Sequence, residues 1–174
     1  MTIRKGNPED MEAVLGLIQE LAHFEKEPDA VLVTVEDLIR DGFGSVPLFH
    51  VFVAEVEGDT SPASLRDEHV KEIVGIALYY YRFSTWKGKT IHLEDLVVKD
   101  KMRGTGLGYA LYSEIIKQAK KDKVRRIEWN VLDWNTPAIE FYEKSGAKVL
   151  DEWRVAQMDE AAINYFIENK LKIN

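Results

Sequence analysis

The stretch TIHLEDLVVKDKMRGTGLG, residues 90–108, constrains the fold more than any other part of the chain. Its first half, TIHLEDLVV, is rich in strand formers. Its end carries glycines at 104, 106 and 108, just before a helical stripe formed by Leu107, Leu111, Ile115 and Ala119. A strand therefore passes into a helix through a turn that has shed its side chains. Glycine lets the backbone approach a ligand closely. Amide groups converging at a helix N-terminus then suit a phosphate or diphosphate, and Arg103 can add a bidentate contact. A turn shaped only for tight packing would use the same glycines. No Gly-Lys-Ser/Thr follows, so this is not a nucleotide-triphosphate loop. The strands before it read as antiparallel, and no acidic residue ends the next strand, so it is a poor dinucleotide fingerprint.

Strand and helix patterns alternate around this stretch. Residues 2–5 read as a short strand. Asn7 caps a helix with Pro8 at its first position, and Met11, Val14, Leu15, Ile18, Leu21 and Ala22 follow at helical spacing. TVEDLIRDGFG reads as a second helix stopped by glycine. Residues 48–57 and 72–83 read as strands joined by a polar loop over 58–70, and STWKGK is the turn before residues 90–98. Beyond the third helix, 125–132 reads as a strand. NTPAIEFYEKSGA reads as a helix with Asn135 as cap and Gly146 past its end. EWRVAQM reads as a last strand, followed by a helix from Asp159. The order implies an α/β chain with a mixed sheet flanked by helices. Its 174 residues imply one domain over residues 1–174.

Composition narrows the chemistry. The absence of cysteine excludes disulfides, thiolate metal sites and a cysteine nucleophile. A net charge of -7 argues against nucleic acid and favours cationic ligands. No stretch is apolar over a membrane-spanning length, and the N-terminus turns polar after three residues. A cytoplasmic protein without a membrane or nucleic-acid partner is expected. No second histidine stands near His92 at ligand spacing, so no metal is expected.

Glu94 and Asp95 are adjacent in a strand and so point to opposite faces. A carboxylate there must be paired or must serve a ligand. His92 shares a face with Glu94. Glu25 ends the first helix, and Glu128 and Asn130 share one face of RIEWN. Tyr142, on the helix after Asn135, is either a core tyrosine or a proton donor in a cleft.

On these residues the sequence resembles the GNAT superfamily of acyl-CoA-dependent N-acetyltransferases. RGTGLG is similar to that family's diphosphate signature, and WNTPAIEFYEKSGA to its second CoA-contacting segment. LIQELAHFE, DGFG and STWKGKTIHLEDLVV extend the resemblance to the spermidine/spermine (diamine) N-acetyltransferase family. STWKGKTIHLED and VLDWN look most like its thialysine branch.

The resemblance implies a mostly antiparallel central sheet, acetyl-CoA as co-substrate and a homodimer. It implies that Leu96, Val97 and Val98 pair with the pantetheine arm. It also implies that Arg103, Gly104, Thr105, Gly106, Leu107, Gly108 and Tyr109 hold the diphosphate, with Asn135, Pro137, Ala138 and Tyr142 completing the CoA site. Tyr142 would be the general acid, and Glu94 the base through water. Phe24, Glu25, Trp86, Glu94, Asp95, Glu128, Trp129, Asn130 and Glu152 would shape an acidic pocket for a small amine. The family's acidic stretch before the late Trp-Arg is compressed here to Asp151 and Glu152. The implied chemistry is coherent. An alkyl amine, with a pKa near ~10.4, must be attracted as a cation and then stripped of its proton. A backbone N–H near Leu96 would meet the oxyanion. A regulatory CoA-binding module without turnover and a protein N-acetyltransferase are the competing readings, the latter disfavoured if Trp86 closes the pocket.

Overall fold

The computed structural model describes residues 1–57 and 71–171, so the polar loop expected over 58–70 lies outside the described residues. The chain forms two compact units, Met1–Asn130 and Val131–Asn174.

The first unit is built on a five-stranded sheet in sequential order: β1 (Thr2–Lys5), β2 (His50–Glu57), β3 (Lys71–Ser84), β4 (Gly88–Val98) and β5 (Ile127–Glu128). Neighbours are antiparallel through β4, and β5 joins β4 in parallel. The helices are α1 (Met11–Phe24), α2 (Val35–Phe43) and α3 (Leu107–Lys121).

The expected starts and stops hold. Asn7 and Pro8 open a 3-10 turn that leads into α1, with a reciprocal Asn7–Asp10 capping box. Thr34 and Asp37 cap α2 in the same way, and Gly44 ends it. The apolar stripe of α1, including Met11, Val14 and Leu17, packs with Val51, Val53, Ile76, Leu78 and Val97. On the other side, a Cβ added at Gly75 would stand 3.0 Å from Leu111 of α3. The sheet is thus covered on both faces, which explains why its strands read as nearly continuous apolar runs.

One buried polar group fixes the start of the chain. Arg4 donates to both oxygens of Asp10, at 2.7 and 2.9 Å, and through Nε to Glu55 at 2.9 Å. Both carboxylates are buried. Arg4→Met leaves buried Asp10 with only the Asn7 amide, while Glu55 keeps Lys71 at 2.7 Å, so it is expected to lower stability by about 3 kcal/mol, read as a lower urea midpoint with unchanged slope.

Two strand expectations fail. Residues 125–132 form a ladder only at Ile127 and Glu128. Residues 152–158 form no strand and are exposed. Strand propensity reports how well a side chain fits a half-buried pleat, and EWRVAQM has no such surface beside it within its own unit. The second unit consists of α4 (Thr136–Lys144) and α5 (Glu160–Asn169), capped by Asn135 and Asp159 as expected.

Candidate active site

The three glycines differ in role. Gly104 and Gly106 have φ of 76° and 87°, in the left-handed region that favours glycine, and a Cβ at either would meet open space. Gly106 is the N-cap of α3, and among the described residues no side chain caps that end. The first-turn amides of Leu107 and Gly108 have no acceptor within the helix. Thr105 donates its hydroxyl to the Met102 carbonyl at 2.7 Å, which ties the turn back on itself. Arg103 pairs with Asp100 at 2.9 Å and lies 5.4 Å above the Phe24 ring. The glycine turn therefore abuts the C-terminal end of α1. Tyr109 is largely exposed.

β4 presents a free edge to this turn. It pairs with β5 only at Ile91 and His92. From Leu93 to Val98, including Leu96 and Val97, that edge has no β5 partner among the described residues. A chain bearing amides could add there as a further strand.

The expectation that Glu94 and Asp95 face opposite ways is overturned. Leu78 pairs with Asp95 and the next residue, Tyr79, pairs with Leu93, so Glu94 is the extra residue of a β-bulge. The bulge turns both carboxylates toward the α1 face. Asp95 lies across from Leu78 of the α1 core, and Glu94 accepts from Tyr80 and lies beside His92. Glu25, which caps the end of α1, completes the cluster. Burial raises its carboxyl above the usual range. Burial, with the charges of Glu94 and Glu25, pushes Asp95 up to about 7. Among the described residues, no basic side chain forms an ion pair with Glu25 or Asp95. The result is a cluster of carboxylates that gains from a bound cation.

Five residues expected to shape the amine pocket are engaged or placed elsewhere. Glu128 is neutralised by Arg82 and Arg126, each at 2.9 Å. Trp129 lies on the α3 face and packs edge-on against Tyr112, because alternation in β5 places Ile127 and Trp129 on that side. Trp86 is 79% exposed in the β3–β4 turn. At about 3.3 Å per residue, β4 carries Glu94 roughly 20 Å from that turn, so Trp86 does not close the hollow within its own chain. Phe24 serves the glycine turn through Arg103. Asn130 follows β5 at the end of the first unit, and its side chain is exposed.

In the second unit, Asn135 accepts from the Ala138 amide and so spends its side-chain oxygen as a helix cap. Pro137 lies in the first turn, and Tyr142 is buried with its ring against Phe141. Glu152 is exposed in a turn.

Arg82 and the bulge itself escaped the sequence reading. Their signal was an adjacent acid pair within a strand that is apolar on both sides, where a regular pleat would have driven one carboxylate into the α3 layer.

Residues 20–147 match the model of the acetyltransferase (GNAT) family. A thialysine N-epsilon-acetyltransferase from Bos taurus is 39% identical over 150 residues, covering 86% of this chain and 85% of that protein. Spermidine/spermine N(1)-acetyltransferase-like protein 1 from Homo sapiens is 35% identical over 145 residues, covering 83% of this chain and 20% of that protein. An integron cassette protein from V. cholerae shares the fold, with a TM-score of 0.72 over 96% of this chain and 97% of that one, at 22% identity. The strand, glycine turn and helix thus belong to a known line of acyl-transfer enzymes, and the chain is a member of the acetyltransferase (GNAT) family.

Proposed function

We propose that the protein moves an acetyl group from acetyl-CoA to the primary amine of a small cation, either a diamine or polyamine or a thialysine-like amino acid. The observation that carries this reading is the bulged pair Glu94–Asp95 beside Glu25, with no basic ion-pair partner for Asp95 or Glu25 among the described residues, on the strand that runs into the glycine turn. The residues fit the CoA group. Open space at Gly104 and Gly106, the uncapped start of α3, Arg103 and the free edge at Leu96, Val97 and Val98 can hold a diphosphate and an amide-bearing arm. Bound there, acetyl-CoA supplies an activated thioester. Glu25 and Asp95 attract the ammonium. Glu94 takes its proton, directly or through water, and leaves a neutral nucleophile. Tyr142 is proposed as the donor of a proton to the departing sulfur, on the resemblance of its helix to the family's second CoA segment. The names of the relatives support both substrate classes. A homodimer in the cytoplasm is part of the same proposal.

The test is thiol release from acetyl-CoA with spermidine, thialysine and lysine as separate acceptors. Turnover with at least one of them is expected, and Tyr142→Phe should lower it about a hundredfold. No release with any small amine would defeat the enzymatic reading. Full turnover by Tyr142→Phe would remove the assigned acid.

A further inference from the structure

His92 is buried beside Glu94 on the same face of β4, and the function described so far does not use it. Its two ring nitrogens have different neighbours. Arg82 Nη1 lies 3.0 Å from Nδ1, and Glu94 Oε2 lies 3.4 Å from Nε2. A guanidinium only donates, so Nδ1 must accept. The proton of the neutral ring is therefore on Nε2, facing Glu94. Arg82 is itself held by Glu128, which Arg126 also engages. The Tyr80 ring packs on the imidazole with centroids 5.1 Å apart, and its hydroxyl reaches the same carboxylate. Burial, with the nearby Arg82 charge, lowers the His92 pKa and keeps the ring neutral, against the pull of Glu94 and Glu128.

We propose that His92 is a positioning residue: Arg82 locks its tautomer, and its Nε2–H holds the Glu94 carboxylate toward the amine hollow. This gives the Arg82–Glu128–Arg126 cluster a purpose. An exposed carboxylate at a bulge has several rotamers open to it, and one donor on each side, Tyr80 and His92, selects a single one. The 3.4 Å separation brings the Nε2–H to the edge of hydrogen-bond reach of the carboxylate.

The inference rests on Glu94 being the proton acceptor, and its test separates the two claims. In 15N-histidine-labelled protein near neutral pH, His92 is expected to be neutral with its proton on Nε2. A proton on Nδ1 would overturn the inference. His92→Phe keeps a ring but cannot donate. It should lower kcat about tenfold with the KM for acetyl-CoA unchanged, whereas His92→Gln, which restores an N–H, should recover most of the loss. Arg82→Met, a change at a half-exposed residue, frees the tautomer and should lower kcat severalfold even if His92→Phe folds poorly. Because His92 acts through Glu94, adding His92→Phe to Glu94→Gln should cost nothing further. Wild-type kcat in His92→Phe and Arg82→Met beside an inactive Glu94→Gln would sink the positioning role and leave the proposed reaction standing. A fully active Glu94→Gln would sink both.

Discussion

Gly106→Val is expected to raise the KM for acetyl-CoA about a hundredfold, with a smaller effect on the KM for the amine. The backbone at Gly106 has φ 87°, where a non-glycine residue costs roughly 1–3 kcal/mol. The position has room for a Cβ, so the free protein suffers strain without a clash. The larger loss falls on the ligand. The added methyls would stand over the uncapped amides of α3, where a charge-assisted hydrogen bond contributes roughly 1.5–3 kcal/mol. The strain lowers stability in both free and bound states, so the KM change comes from the lost contact, whose upper end reaches about two powers of ten at roughly 1.4 kcal/mol each. Gly108→Ala separates the causes. Its backbone is not left-handed, and its Cβ would meet Val98 at an ordinary 3.8 Å. It should leave the thermal midpoint unchanged. Equilibrium dialysis with coenzyme A, alongside thermal unfolding, reads both quantities. Unaltered affinity in Gly106→Val would place the diphosphate elsewhere.

Asp95→Asn should act oppositely on stability and on substrate. The folded protein keeps the Asp95 proton up to about pH 7. The unfolded chain gives it up near pH ~4. Between those values the folded state binds more protons than the unfolded state, so stability falls as pH rises through that window. The accumulated penalty above pH 7 is up to about 4 kcal/mol. Asp95→Asn removes it, so the variant should melt higher than wild type at pH 8 and match it near pH 4. The same substitution removes a carboxylate that a cationic amine needs. Its KM for the amine should rise on the order of tenfold or more at pH 8. The fall in wild-type KM between pH 6 and 8, as Asp95 ionises, should be lost. Unfolding curves and amine titrations at pH 4, 6 and 8 test both signs. A variant less stable than wild type at pH 8 would contradict the burial of an uncompensated charge.

The sequence made the frame of this site legible where local chemistry governs. Asn7 with Pro8, and Asn135 with Pro137, are caps whose partners lie within a few residues, and both appear where their side chains dictate. The glycine turn was legible for the same reason: Gly104 and Gly106 adopt backbone angles that other residues resist. What escaped was set by cross-strand pairing. The Glu94 bulge arises from the register between β3 and β4, and within β4 only the adjacent acid pair hinted at it. A sheet buried on both faces also hides alternation, since Leu93 and Val97 are both buried although the bulge puts them on opposite sides. Glu128 looked like a free acid because its arginines come from β3 and from its own strand's start. Trp86 looked like a pocket wall because its place at a hairpin tip does not show how far that tip lies from the acids. Residues 152–158 carried strand formers without a sheet to receive them.

The most direct test is a crystal structure with coenzyme A and spermidine together. The diphosphate should lie on the amides from Gly104 to Gly108, the pantetheine arm along Leu96–Val98, and an ammonium within reach of Glu25, Glu94 and Asp95. A coenzyme bound away from that turn, or a spermidine that leaves the three carboxylates facing water, would contradict the assignment.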